Sequence, residues 1–196
     1  MGQINRMGNE RQIRNLALVG FMGTGKSTVG RMVARALHFD FLDTDALIEA
    51  RLRQSISEVF AQQGELWFRE YERCMVVELA RYDHTVFATG GGLAAHPASL
   101  AHLKQHALVV CLWASPETIW QRVQRHTYRP LLQVPNPQAA IRQLLAERLP
   151  YYRQADVLIS SGLRSPRQVV QQVLHQFQSA RSRSVPNESR DPPVRP

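Results

Sequence analysis

The chain has 196 residues, of which 44% are apolar and 20% charged, and its formal net charge is +8. This length fits one domain with a substantial core, the composition is that of a soluble globular protein, and no apolar run approaches the ~18 residues that cross a bilayer. Much of the charge excess sits at the ends, in Arg6, Arg11 and Arg14 and in Arg181, Arg183, Arg190 and Arg195; the body has no basic stripe with interleaved aromatics, so no nucleic-acid partner is expected.

In chain order, residues 1–14 read as an N-terminal extension without the apolar core of a signal peptide. A strand is predicted over residues 15–19 and runs into Gly20-Phe21-Met22-Gly23-Thr24-Gly25-Lys26-Ser27. That stretch fits G-x-x-x-x-G-K-[ST]: glycines let backbone N–H groups wrap phosphates, the lysine reaches the β- and γ-phosphates, and the serine offers a hydroxyl to Mg²⁺. A helix is predicted from Lys26 to Leu37, then a strand over residues 39–42. Asp43-Thr44-Asp45 follows at the strand's carboxyl end, where ligands gather in open α/β sheets. Its two carboxylates suit either a metal and an incoming hydroxyl, or the capping of the next helix, predicted over residues 44–53.

Two further helices are predicted over residues 57–63, with Ser57 as cap, and 65–81. On the second, Arg69 and Glu72 share a face and form either a structural ion pair or part of a site. A strand over residues 86–88 precedes Gly90-Gly91-Gly92, which permits close approach to a ligand or a plain tight turn. A helix over residues 97–105, a strand over 107–112 and a helix over 116–125 come next. The stretch from 125 to 137 contains three prolines and no period; it reads as a mobile lid bearing Arg129. Helices over residues 137–150 and 166–177 flank a last strand over 157–159, and Arg148 precedes Pro150-Tyr151-Tyr152. From Ser179 the chain is Ser, Arg and Pro and is expected to be a disordered tail. Cys74 and Cys111 are expected to be separate buried thiols, and no Cys/His spacing fits zinc.

Strands alternating with helices imply an α/β fold around a parallel sheet. The P-loop leaves the acceptor open, because GTPases, ATPases and small-molecule kinases share it. Taken together, the loop Gly20–Ser27, Asp43-Thr44-Asp45, Phe68-Arg69 with Glu72, the triple glycine, Arg129-Pro130-Leu131-Leu132 and Arg148 before the tyrosines resemble the shikimate kinase family, in order and spacing, from about Asn15 to Phe177. The resemblance implies the three-layer αβα architecture of nucleoside monophosphate kinases, P-loop kinase type: a five-stranded parallel sheet, substrate-binding helices and a lid, in one kinase domain over residues 15–178.

It also implies phosphorylation of the 3-hydroxyl of shikimate by ATP with Mg²⁺, a step towards chorismate and the aromatic amino acids, in a cytoplasmic, monomeric enzyme. Gly23, Thr24, Gly25, Lys26, Ser27 and Thr28 would bind ATP, with Ser27 and Asp43 at the metal. Arg122, Arg164 and Pro166 would border the adenine. Asp45 would orient or deprotonate the hydroxyl, while Lys26 and Arg129 would stabilise the transferring phosphoryl group. Arg69 and Arg148 would hold the substrate carboxylate with Gly91 and Gly92, Glu72 would position Arg69, and Phe60 and Phe68 would line the apolar wall. Leu93, after the glycines, departs from the family pattern without removing a named role. The rival readings are another acceptor on the same fold, such as gluconate or a nucleoside monophosphate, and a nucleotide-binding module without turnover.

Overall fold

A computed structural model describes residues 11–124 and 134–184. Its single sheet has the order β2-β3-β1-β4-β5, and every pairing is parallel. The strands are β1 (Asn15–Val19), β2 (Asp40–Asp43), β3 (Thr85–Ala88), β4 (Ala107–Trp113) and β5 (Val157–Ser160). Between and after them run α1 (Lys26–Leu37), α2 (Thr44–Leu52), α3 (Ile56–Glu78), α4 (Pro97–His106), α5 (Pro116–Val123), α6 (Pro137–Tyr152) and α7 (Pro166–Ser184). The central strands are apolar without alternation because both faces are covered. Leu16 and Leu18 of β1 pack with Val29 and Val33 of α1 and Val169, Val173 and Phe177 of α7. Ala17 and Val19, pointing the other way, pack with Val76 of α3, Leu103 of α4, Ile119 of α5 and Ile141 of α6. A smaller cluster of Ile48, Val59, Phe68 and Met75 fastens α2 to α3.

Several boundaries differ from the sequence reading. The two helices predicted around Gly64 form one run that kinks there, with Gly64 at φ 82. Its cap is Ser55, not Ser57: Ser55 Oγ accepts from Glu58 N–H while the Glu58 carboxylate accepts from Ser55 N–H at 2.7 Å, a reciprocal capping box. Helix α7 continues past the predicted tail boundary to Ser184, with Phe177 1% exposed beneath it and the Arg181 guanidinium 5.8 Å from the Phe177 ring centre. At the other end, Arg11 pairs with Asp156 at 2.6 Å and Ile13 packs against the α1/α7 core, so ordered structure begins before Asn15. Cys74 is exposed, against expectation, because it lies on the outer side of α3. Cys111 is fully buried in β4, and burial pushes its thiol up to about 12.

At the amino ends of the strands the Asn15 side chain donates to Tyr82 O at 2.6 Å, accepts from Thr85 N–H at 2.9 Å and meets His106 Nδ1 at 3.1 Å. This pins β1, β3 and α4 together, and all the parallel strands then deliver their carboxyl ends to the opposite edge. Among the described residues, no helix is long and apolar enough to cross a membrane.

Candidate active site

The turn after β1 folds as it does because three of its glycines take positive φ: Gly20 at 129, Gly23 at 74 and Gly25 at 95. That wraps the loop so that α1 starts at Lys26 with its amino end facing the site. Lys26 Nζ donates to Gly20 O and Phe21 O, each at 2.9 Å, and the Thr24 hydroxyl donates to Phe21 O at 2.8 Å. Ser27 Oγ donates to Asp43 Oδ2 at 2.6 Å, while Asp43 Oδ1 accepts from Asp45 N–H at 3.1 Å. Asp43 therefore caps α2, one of the two readings the sequence left open, and it also stands beside the phosphate loop through Ser27. Arg122 donates to Gly23 O at 3.1 Å and to Ser161 O at 2.8 Å, tying α5 to the loop and to the turn after β5. Arg164 is exposed and donates to Ser160 O at 3.0 Å, Pro166 opens α7, and Thr28 is exposed on α1. None of Arg122, Arg164, Pro166 and Thr28 lines the cleft that opens beside the loop.

Beside the loop opens a cleft of about 360 Å³ lined by Ser27, Asp43, Asp45, Phe60, Phe68, Arg69, Glu72, Gly90, Gly91, Gly92 and Arg148. Its wall also includes Met22, Glu49, Ile56 and Ser57, which the sequence reading did not select. Arg69 lies between Glu65, at 2.9 Å, and Glu72, at 2.5 Å, and its guanidinium is 5.8 and 5.4 Å from the Phe60 and Phe68 ring centres. The structural ion pair exists, and the same arginine faces the cleft. Burial opposes its charge, yet Glu72 and Glu65 hold its pKa above the ordinary value. Glu72 is 2% exposed. Burial raises its pKa to about 7, with Arg69 pulling down and Asp45 pushing up.

Arg148 is 8% exposed, 5.6 Å from the Phe21 ring centre, and donates to Gly91 O at 3.3 Å. Tyr152 Oη donates to the same carbonyl at 2.6 Å. Tyr152 was not among the predicted site residues; its signal was a position one turn beyond Arg148 on the same helix face. The three glycines have no positive φ, so what they provide is space, not an unusual turn. A Cβ on Gly90 would lie 2.5 Å from Asp45 Oδ1 and 2.6 Å from Glu72 Oε1, and one on Gly92 would run into the Arg69 guanidinium. Gly90 N–H is held by Thr44 Oγ1 at 3.0 Å. Arg129 and the core of the predicted lid lie outside the described residues.

The site thus joins a phosphate-binding loop to a cleft whose wall sets carboxylates, Asp45 among them, against two guanidiniums, Arg69 and Arg148. That set suits an acceptor carrying both a hydroxyl and an anionic group. Residues 22–178 match the family model described as shikimate kinase. The shikimate kinase of Caldanaerobacter subterraneus subsp. tengcongensis is 40% identical over 84% of this chain and 96% of its own length. That of Synechococcus sp. (strain JA-3-3Ab) is 47% identical over 80% of this chain and 83% of its own. Among solved structures, shikimate kinase from Acinetobacter baumannii in complex with shikimate matches with a TM-score of 0.82 at 38% identity, covering 87% of this chain and 96% of that one.

Proposed function

The chain belongs to the shikimate kinase family, and we propose from its geometry how it moves the γ-phosphoryl group of ATP onto the 3-hydroxyl of shikimate. The activity itself, ATP-dependent phosphorylation of shikimate in aromatic amino acid biosynthesis, is that of the family. The observation that carries the residue assignment is the convergence of Asp45, Arg69 and Arg148 on one cleft beside Lys26 and Ser27.

Arg69 and Arg148 bind the substrate carboxylate, each with a planar fork that a point charge cannot replace. Glu72 and Glu65 hold Arg69 in place, while Phe60 and Phe68 cover the apolar side. Gly91 is fixed by Arg148 and Tyr152, and Gly92 leaves room for Arg69. With the carboxylate anchored, the hydroxyl is turned towards Asp45, which accepts its proton as the new O–P bond forms. The bond from the γ-phosphorus to the bridging oxygen breaks, and ADP leaves. Lys26 exchanges its carbonyl partners for phosphate oxygens and spreads the developing charge. Such chemistry asks for positioning and charge stabilisation more than covalent help.

Gly23, Thr24, Gly25, Ser27 and Thr28 hold the phosphates, and Arg122, Arg164 and Pro166 border the adenine end. The Ser27 hydroxyl and Asp43 carboxylate, 2.6 Å apart, are the hard oxygen donors Mg²⁺ prefers; they would hold it, Asp43 through water, and it would neutralise charge on the β- and γ-phosphates. Arg129 is assigned to the transferring phosphoryl group from sequence order alone. A cytoplasmic monomer is part of the same proposal, on family analogy. A coupled ADP-release assay with shikimate, gluconate and the common nucleoside monophosphates side by side tests it. Turnover should depend on shikimate and on Mg²⁺; robust turnover on another acceptor alone would overturn it.

A further inference from the structure

Glu72 has more hydrogen-bonding capacity than its ion pair uses. One carboxylate oxygen, Oε2, accepts from Arg69 Nη1 at 2.5 Å, and the other, Oε1, is buried without a hydrogen-bond partner among the described residues. That second oxygen is aimed at the backbone of Gly90, 2.6 Å from the position of a Cβ there, and Asp45 Oδ1 comes within 2.5 Å of the same position from the other helix. A buried carboxylate oxygen left unpaired is costly when charged and readily relieved by a proton.

The charged groups facing Glu72 are Arg69 from its own helix, Asp45 from α2 and Arg148 from α6; the Gly90–Gly92 loop adds only backbone. Arg69 is already shared with Glu65. A substrate carboxylate arriving at Arg69 and Arg148 adds a fourth anion to Glu65, Glu72 and Asp45 around two guanidiniums. Negative charge is then poorly compensated, and its most buried bearer is Glu72. We propose that Glu72 takes up a proton from solvent when shikimate binds, and so serves as a positioning residue that yields Arg69 to the substrate and presents an O–H at the Asp45 side of Gly90. The inference rests on the shikimate-binding reading above. The only bond formed is the O–H at Glu72, and the proton comes from the buffer.

Burial, opposed by Arg69 and Arg148 and reinforced by Asp45, raises the pKa of the free carboxyl to about 7, and an anion that takes up the charge of Arg69 raises it further. Uptake is therefore largest above pH 7, where the free group is ionised, and fades towards pH 6. The test is titration calorimetry of the full chain with shikimate at pH 8 in phosphate and in Tris, whose ionisation heats differ. The difference should report uptake of roughly half to one proton, and the dissociation constant should rise severalfold between pH 7 and 8.5. In Glu72→Gln the uptake should vanish while shikimate still binds. Binding without proton exchange in the wild type, or unchanged uptake in Glu72→Gln, would overturn the inference. Should Glu72→Gln fail to fold, the wild-type dissociation constant decides alone, and a flat profile from pH 6 to 8.5 overturns it. No shikimate binding at any pH would instead overturn the site assignment on which the inference stands.

Discussion

Gly20, Gly23 and Gly25 of the phosphate loop all have positive φ, whereas Gly90, Gly91 and Gly92 beside the acceptor cleft have none. The first set is glycine because the backbone must turn where L-residues are strained. The second is glycine because carboxylates and a guanidinium from other elements press against it. Charge divides in the same way. The phosphate side relies on main-chain amides, a helix start and Lys26, all from one contiguous stretch, whereas the acceptor side draws Asp45 from α2, Arg69 and Glu72 from α3 and Arg148 from α6. On the proposed assignment, phosphate recognition is largely a property of local backbone, and acceptor recognition a property of packing between distant elements.

Changing Asp45 to Asn should produce the largest split between the two sides. Turnover should fall about a hundredfold, within the range general-base removal gives, while nucleotide binding stays near the wild-type value in a fluorescence titration. An equal loss of nucleotide affinity would mean the two sides are not separable. A pair of alanine substitutions sharpens the contrast at intermediate size. Gly92→Ala displaces the Arg69 guanidinium and should raise the KM for shikimate roughly tenfold, since overpacking costs about 1–3 kcal/mol, with the KM for ATP unchanged. Gly25→Ala has open space around its Cβ but sits at φ 95, so it should raise the KM for ATP and leave that for shikimate alone. The reverse pattern in steady-state kinetics would break the distinction. The smallest effect is expected from Tyr152→Phe, which removes one donor to Gly91 O. That is about 1 kcal/mol, read as roughly a fivefold rise in the shikimate KM, and no change would make Tyr152 a packing residue only.

Most of this was legible in the chain where the signal is local. Strand β1, the loop and helix α1 have the predicted bounds, because apolar run, glycine spacing and helix period occur side by side. Ends decided by single hydrogen bonds were not. Ser55 rather than Ser57 caps α3 through Glu58, and Gly64 bends a helix where a break was expected. Helix α7 outruns its apolar pattern: Ala180 still packs against the core cluster that holds Phe177, and the Arg181 guanidinium lies over the Phe177 ring. Tyr152 was passed over because its role depends on a carbonyl in a loop far away in sequence.

By itself the sequence determined the fold class, the family and the phosphate loop, since these follow from residue order within short windows. Only the tertiary structure decided that Asp43 both caps α2 and meets Ser27, that the Arg69–Glu72 pair faces the cleft, and that the triple glycine is about space. The reason is physical: periodicity and backbone preference are written locally, whereas which carboxylate is desolvated, and against which arginine, exists only once β3, α2, α3 and α6 are brought together.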